Sequence, residues 1–197
     1  MRDVDARDAG HARAFAATAG VTNHALVDRV RLSKRMSRAL RHDPARAGLE
    51  LDAGGWTSLD ALCAALGATP DEVEDVVANG SKPRYEIADG HIRARYGHSL
   101  PGHVELPHAD PPPTLFHGTS AAAVDAILRD GLHAGGRQYV HLSPSEATAR
   151  EVGSRHGRPV ILAVDARAAA AAGAVFRRGN ADTWLTDALA PAYLRRA

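Results

Sequence analysis

Five cations, Arg31, Lys34, Arg35, Arg38 and Arg41, recur at steps of three or four residues, so a helix would gather several of them on one face. A solvated helix surface is the ordinary explanation of such a row. A second group shifts the balance: Arg84, Arg93 and Arg95 alternate with apolar residues in a stretch of period two, which turns them to the face away from the packed side of a strand pair. Two basic surfaces close together in sequence suit phosphate. Arg41 is followed by His42, and an Arg beside a chargeable His can hold a phosphate and exchange a proton with it. At the last turn of a helix the dipole favours cations, which predicts a protonated imidazole. Taken alone, such a pair is more often a plain helix C-terminus, and local sequence does not decide between the readings.

The elements that would carry these residues follow from periodicity. A helix is expected over residues 24–42, with Leu26, Val30, Leu32, Met36 and Leu40 as its apolar stripe. Pro44 disfavours helical geometry at Asp43 and ends it. A second helix follows Ser58 with Leu59, Leu62 and Leu66 inward. Thr69-Pro70-Asp71-Glu72 is a capping box with proline at the first helical position, opening a third helix that stops at Asn79-Gly80. Tyr85 and Ile87, a turn at Asp89-Gly90, then Ile92, Ala94 and Tyr96 predict a hairpin. Three helices and a hairpin give a winged-helix-like lobe over residues 24–100. Prolines 101, 107, 111, 112 and 113 predict a stiff surface linker over 101–113. Residues 1–23, rich in Ala, Arg and Asp, read as a flexible extension.

Residues 114–197 form the second part. A strand is expected over 114–116, then a helix capped by Ser120 that carries Val124, Ile127 and Leu128 and ends near Gly131. A strand over 139–142 precedes a second capping box, Ser143-Pro144-Ser145-Glu146. A buried strand over 159–164 and weaker ones near 175–177 and Trp184 complete an α+β pattern without the glycine fingerprint of a Rossmann fold.

Composition narrows the classes. The formal charge of +1 gives no bulk argument for a polyanion, so the distribution of cations must carry it. The single cysteine, Cys63, sits with Leu62 and Leu66 on an apolar stripe and reads as core rather than nucleophile. The eleven histidines fall into no metal-ligand spacing, so no metal is expected. Neither a signal segment nor a membrane-spanning run is recognisable, so a cytoplasmic monomer is expected.

Seven segments, in order, resemble the RNA 2′-phosphotransferase family. They are LSKRMSRALRHDP with GLELDAGGWTSLDAL, RYEI, IRARYGHSLPGH, LFHGTS, GLHAGGRQYVHLS, RPVILAVDA and WLTDALAPAYL, spanning about residues 32–194. The resemblance implies a winged-helix-like RNA lobe followed by an ADP-ribosyltransferase-like lobe that binds NAD, consumed as co-substrate. It implies catalytic roles for Arg41, His42, Arg84 and Arg137, and NAD contacts for His117, Gly118, Thr119, His141 and Ser143. Arg93, Arg95 and His98 are assigned to substrate phosphate. The implied reaction moves an internal RNA 2′-phosphate to NAD through an ADP-ribosylated 2′-phosphate. Its products are RNA with a free 2′-hydroxyl, ADP-ribose 1″,2″-cyclic phosphate and nicotinamide.

Residue by residue, plainer roles stand beside these: His117 as a turn residue, His141 as a core-facing strand residue, Trp184 as packing. Arg95-Tyr96 stands where the family usually has Asn-Gln, which opens the identity of the RNA end. Tyr96 offers a stacking ring, or packs inward with Ile92 and Ala94 and leaves Arg95 as the new contact. Two other functions stay open. One is an ADP-ribosyltransferase acting on terminal phosphates of RNA or DNA, or on a protein side chain; the other is a non-enzymatic winged-helix NAD sensor.

Overall fold

The structure, a computed structural model, describes residues 23–80, 82–154 and 157–197, with side chains in the first helix from residue 28 onward. The extension expected at the N-terminus and the side chain of Leu26 lie outside the described residues.

Helix α1 (Asn23–Arg41) buries Leu32, Met36, Ala39 and Leu40. Val30, expected on that stripe, is 49% exposed, because its place two residues before Leu32 turns it to the opposite side of the helix. Helix α2 (Leu59–Leu66) is capped by the Ser58 side chain, and α3 (Pro70–Asn79) by the complete Thr69/Glu72 box. Strands β2 (Tyr85–Ala88) and β3 (His91–Ala94) make the expected hairpin. A third strand, β1 (Trp56–Ser58), pairs with β3, so the antiparallel sheet runs β1-β3-β2. Three residues are too few to show a period, and β1 was not legible in advance. Leu40, Leu62, Val73 and Ile92 lie in the core between helices and sheet, with Cys63 buried beside them.

The later part holds three small sheets. Strands β4 (Thr114–Thr119) and β11 (Leu194–Arg196) flank β7 (Val160–Asp165). Strands β6 (Val140–Leu142) and β8 (Phe176–Asn180) flank β9 (Thr183–Thr186). Short β5 (Leu132–His133) pairs with β10 (Ala188–Leu189). Helices α4 (Ala121–Asp130), α5 (Glu146–Gly153) and α6 (Ala166–Ala171) connect them. Every described pair is antiparallel, and the mixture of helices with small antiparallel sheets is α+β.

Two local expectations change. Ser143 does not cap α5: its backbone N–H and C=O are both bonded to Phe116, at 2.8 and 2.9 Å, in a bridge that joins the β4 and β6 sheets. The helix therefore starts later, with Ser145 accepting from the Thr148 N–H at 3.1 Å. The proline-rich stretch does not simply lie on the surface either. Val104 and Leu106 are buried against Tyr139 and Leu185, and the side chain of Gln138 bonds both Leu100 O and Val104 N. The segment is stapled to the later sheets instead of spanning freely to them.

Candidate active site

The helix terminus supplies the centre of the site. Arg41 closes α1 with only 7% of its surface exposed. Its guanidinium lies between two rings, 5.6 Å from the Tyr85 centroid and 5.2 Å from that of Tyr96. Nη2 donates to Arg84 O at 3.3 Å, while Nε has no partner among the described residues. Burial lowers the Arg41 pKa, with the nearby cations Arg84 and Arg137 adding to that. An arginine stays charged regardless, so the aromatic faces supply favourable electrostatics where water cannot.

Gly97 is where the chain lets two arginines approach each other. Arg137, from the loop before β6, donates from Nη1 to Gly97 O at 2.9 Å. A Cβ at Gly97 would lie 2.8 Å from Arg137 Nη1 and 3.4 Å from Arg41 Nη1, and φ is +89°. The positive φ disfavours a side chain there, and one would push the Arg137 guanidinium aside. The next residues hold the helix end: Ser99 N–H donates to Arg41 O at 2.9 Å, and Ser99 Oγ sits 2.8 Å from His42 Nδ1.

The expectation of a protonated His42 is overturned. Partial burial lowers its pKa first, and Arg137, Arg41 and Arg38 lower it further. A helix C-terminus contributes about 0.3–1 kcal/mol in favour of a cation at the surface, which burial beside three arginines outweighs. His42 is thus a neutral base in a field of cations.

Two more histidines adjoin this group. In β4, His117 Nδ1 donates to His141 O at 3.0 Å, and in β6, His141 Nδ1 donates to Tyr139 O at 3.0 Å. With Nδ1 carrying the proton, each Nε2 is an acceptor, and that of His141 is buried without a partner among the described residues. Burial, then Arg137, pushes the His141 pKa down to about 4; burial lowers that of His117. His117 is consequently a strand residue and not a turn residue. Thr119 ends the same strand half-buried, and Ser143 is buried at the sheet junction. Gly118 has a packing reason, since a Cβ would lie 2.5 Å from Ala149 O of α5.

The hairpin arginines are less available than alternation implied. Glu86 stands on the same face, opposite Arg93. It accepts from Arg93 Nε and Nη2 at 3.1 and 2.9 Å, while Nη1 bonds Gly54 O and the guanidinium covers Trp56 at 4.4 Å. Arg95 bonds Tyr85 O and lies 3.8 Å from the same carboxylate. His98, expected to face a phosphate, is 1% exposed, and neither ring nitrogen is partnered among the described residues. Burial above all, and Arg41 next, pushes its pKa down to about 4.

Tyr85, Gly97, Ser99 and Asn180 were not singled out from sequence as site residues. Each acts through a contact distant in the chain, for which no local signal exists. Tyr96 packs inward: its hydroxyl accepts from Asn180 Nδ2 at 2.8 Å, and its ring meets that of His141 at 6.1 Å, edge-on. A cavity of about 470 Å³ opens beside the group, with Ser99, Arg137, Gln138 and Asp187 among its walls.

Among the described residues no carboxylate pairs with Arg41, Arg84 or Arg137. Arg84 and Arg137 both lie within electrostatic range of Arg41, and Arg41 and Arg137 meet at one glycine. Residues 27–188 match the family described as RNA 2'-phosphotransferase, Tpt1 / KptA family. The chain belongs to the RNA 2′-phosphotransferase family. It is therefore a transferase. A protein of Streptomyces coelicolor named "Probable RNA 2'-phosphotransferase" is 45% identical over 171 residues, 84% of this chain and 94% of that one. Relatives of the same name from Acetivibrio thermocellus and Agrobacterium fabrum are 41% and 43% identical, covering 86% and 82% of this chain and 98% and 91% of their own.

Among the described residues no cluster of His, Cys, Asp or Glu is arranged to hold a metal, and no helix is long and apolar enough to cross a membrane.

Proposed function

We propose that the protein removes an internal 2′-phosphate from RNA by transferring it to NAD, with Arg41, His42, Arg84 and Arg137 as the reacting group's hosts. The observation that carries this reading is the carboxylate-free convergence of Arg41 and Arg137 on Gly97, with Arg84 within electrostatic reach. Arginine forks hold phosphate oxygens in pairs and keep their charge at neutral pH.

The two parts of the chain read as a winged-helix-like RNA lobe and an ADP-ribosyltransferase-like lobe. In support of the first, β1 falls between α1 and α2 and enters the sheet in the order β1-β3-β2, so the hairpin is the wing of a three-stranded sheet. The residues also fit NAD. His117 and His141 each spend Nδ1 on a carbonyl and keep Nε2 for a donor such as a ribose hydroxyl, and the orphaned Nε2 of His141 needs one. NAD supplies the accepting ADP-ribose and a nicotinamide leaving group.

Two displacements complete the reaction. In the first, a 2′-phosphate oxygen bonds to the ribose C1″ as the nicotinamide bond breaks. Arg41 and Arg137 hold the phosphate against that carbon. In the second, the 2″-hydroxyl attacks phosphorus and the RNA 2′-oxygen leaves. Charge grows on the remaining phosphoryl oxygens, which the guanidinium groups stabilise. His42, kept near them by Ser99, takes the proton of the attacking hydroxyl and returns it to the leaving oxygen. The test is to mix purified protein with NAD and a short RNA bearing one internal 2′-phosphate and to weigh both products. RNA lighter by one phosphate with ADP-ribose cyclic phosphate supports the reading. RNA that retains ADP-ribose makes the protein an ADP-ribosyltransferase, and loss of neither substrate defeats both.

A further inference from the structure

The cations of α1 separate into two sets once their contacts are assigned. Arg29 is paired with Asp75, the Arg35 guanidinium bonds Leu66 O, and Arg41 is buried in the site. Arg31, Lys34 and Arg38 are exposed and make no ion pair or hydrogen bond among the described residues. Those three are not scattered. At roughly 100° per residue, Arg31, Lys34, Arg38 and His42 fall in one sector about 80° wide. The His42 N–H still bonds Arg38 O at 3.1 Å, so the row continues into His42 without a break.

We propose that this row is the track for the RNA backbone flanking the 2′-phosphate, so that single-stranded RNA lies along α1 and not along the hairpin. The assignment rests on the proposed reaction, because it takes His42 as the point where the phosphate is handled.

Four observations favour RNA phosphates as the occupant. The three cations carry no compensating carboxylate among the described residues, whereas Glu86 is bonded to Arg93 and lies 3.8 Å from Arg95, offsetting one of the two hairpin charges. The row spans about 16 Å from Arg31 to His42, a length that serves several backbone phosphates and far exceeds one small anion. It ends at the reacting group, so an RNA placed on it delivers an internal phosphate to Arg41 and Arg137. Before His42 it contains no aromatic residue and no amide side chain, so it holds backbone without reading bases. Cations this exposed gain little from folding, which leaves their charge for a ligand.

The experiment compares the parent with the triple variant Arg31→Ala, Lys34→Ala, Arg38→Ala, and uses two substrates. One is a long single-stranded RNA with a central 2′-phosphate; the other is a dinucleotide bearing the same group. Each phosphate neutralised on a single strand contributes about 0.7 to the slope of log affinity against log salt. The triple variant should lose about 2 units of slope on the long RNA, so a fourfold rise in salt would cost it about sixteenfold less affinity than the parent. On the dinucleotide, kcat and KM are measured with the double variant Arg31→Ala, Lys34→Ala, which leaves Arg38 beside His42, and should be unchanged. An unchanged slope overturns the proposal, and so does an equal loss on both substrates, which would place these cations at the reaction itself. Should the triple variant fold poorly, Arg31→Ala and Lys34→Ala singly should each remove about 0.7 of slope. RNA binding is measured without NAD. A parent that binds with the expected slope but frees no phosphate therefore keeps the track and defeats the reaction.

Discussion

The Arg41 guanidinium and the Tyr96 ring are 5.2 Å apart, and the hydroxyl of that same tyrosine accepts a hydrogen bond from Asn180 at 2.8 Å. One side chain thus steadies an arginine of the first helix and reaches a strand of the last sheet. Gly179 leaves no room for more, since a Cβ there would lie 2.9 Å from the Tyr96 ring. Tyr96 is thus a strut inside the site and not an outlying base-stacking platform.

Tyr96→Phe should therefore keep the ring over Arg41 and lose only the bond to Asn180, at a cost of about 1 kcal/mol of stability with kcat nearly unchanged. Tyr96→Ala should remove the ring as well. A desolvated cation–π contact is worth about 2 kcal/mol, so kcat should fall some ten- to thirtyfold while KM for NAD moves little. Thermal unfolding and steady-state kinetics on both variants decide it. Equal kinetic losses in the two would mean the hydroxyl, not the ring, matters.

Bound phosphate should change the protonation of His42. In the free protein burial and three arginines hold its pKa below the ordinary value, so the imidazole is neutral at pH 7. A phosphate dianion offsets those cations and raises it, so binding takes up a proton on going from neutral to mildly acidic pH. An NMR titration of the imidazole, identified by its loss in His42→Asn, should show a higher midpoint with 2′-phosphorylated RNA than without. A lower or equal midpoint would place the phosphate elsewhere.

His98 makes a separate prediction about acid. Its folded pKa is about 4 and its unfolded value near 6.5, so the unfolded chain binds the extra proton between those limits. Its contribution is complete above pH 6.5 and shrinks as the pH falls toward 4. At pH 5 the loss is about 2 kcal/mol. In denaturant melts His98→Leu should flatten the acid limb by that amount. It should cost little at pH 7, because both orphaned ring nitrogens disappear with it. Loss of RNA binding in His98→Leu would return the residue to phosphate contact.

The helices of the first part and its hairpin were legible because their signals are local: the Thr69/Glu72 box, Pro44, Asp89-Gly90. Alternation also put Arg93 on the outer face correctly. What it could not show is that Glu86 shares that face and satisfies Arg93, because charge cancellation depends on register across the hairpin. The failure at Ser143 is of the same kind. Its box satisfied the local rule, but a bridge to Phe116, 27 residues earlier, had already claimed the backbone. Short strands such as β5, β10 and β11 carry too few residues to display a period, so only pairing defines them. The site itself became readable through ordered motifs, while its supports Tyr85, Ser99 and Asn180 needed the fold.

The two steps of the proposed reaction place unequal demands on the arginines, and that inequality can be measured. In the first, a phosphomonoester that is already an anion attacks a sugar carbon, so little new charge gathers at phosphorus. In the second, attack on a phosphodiester builds charge on the phosphoryl oxygens, where fixed donors matter most. Arg84 has a guanidinium without ion-pair or hydrogen-bond partners among the described residues, and Arg137 is tethered at one nitrogen by Gly97 O, so both have donors to give. Removing one such donor costs on the order of 3 kcal/mol, about a hundredfold in rate. Arg84→Ala and Arg137→Ala should therefore accumulate RNA carrying ADP-ribose on its 2′-phosphate, whereas the parent shows little of it. His117→Ala should instead slow consumption of NAD without trapping that species, since its ring lies with His141 among the groups proposed to hold the cofactor. A mass time course on 2′-phosphate RNA at saturating NAD follows all three. Arginine variants that stall with no ADP-ribosylated RNA would place their contribution before the first bond forms.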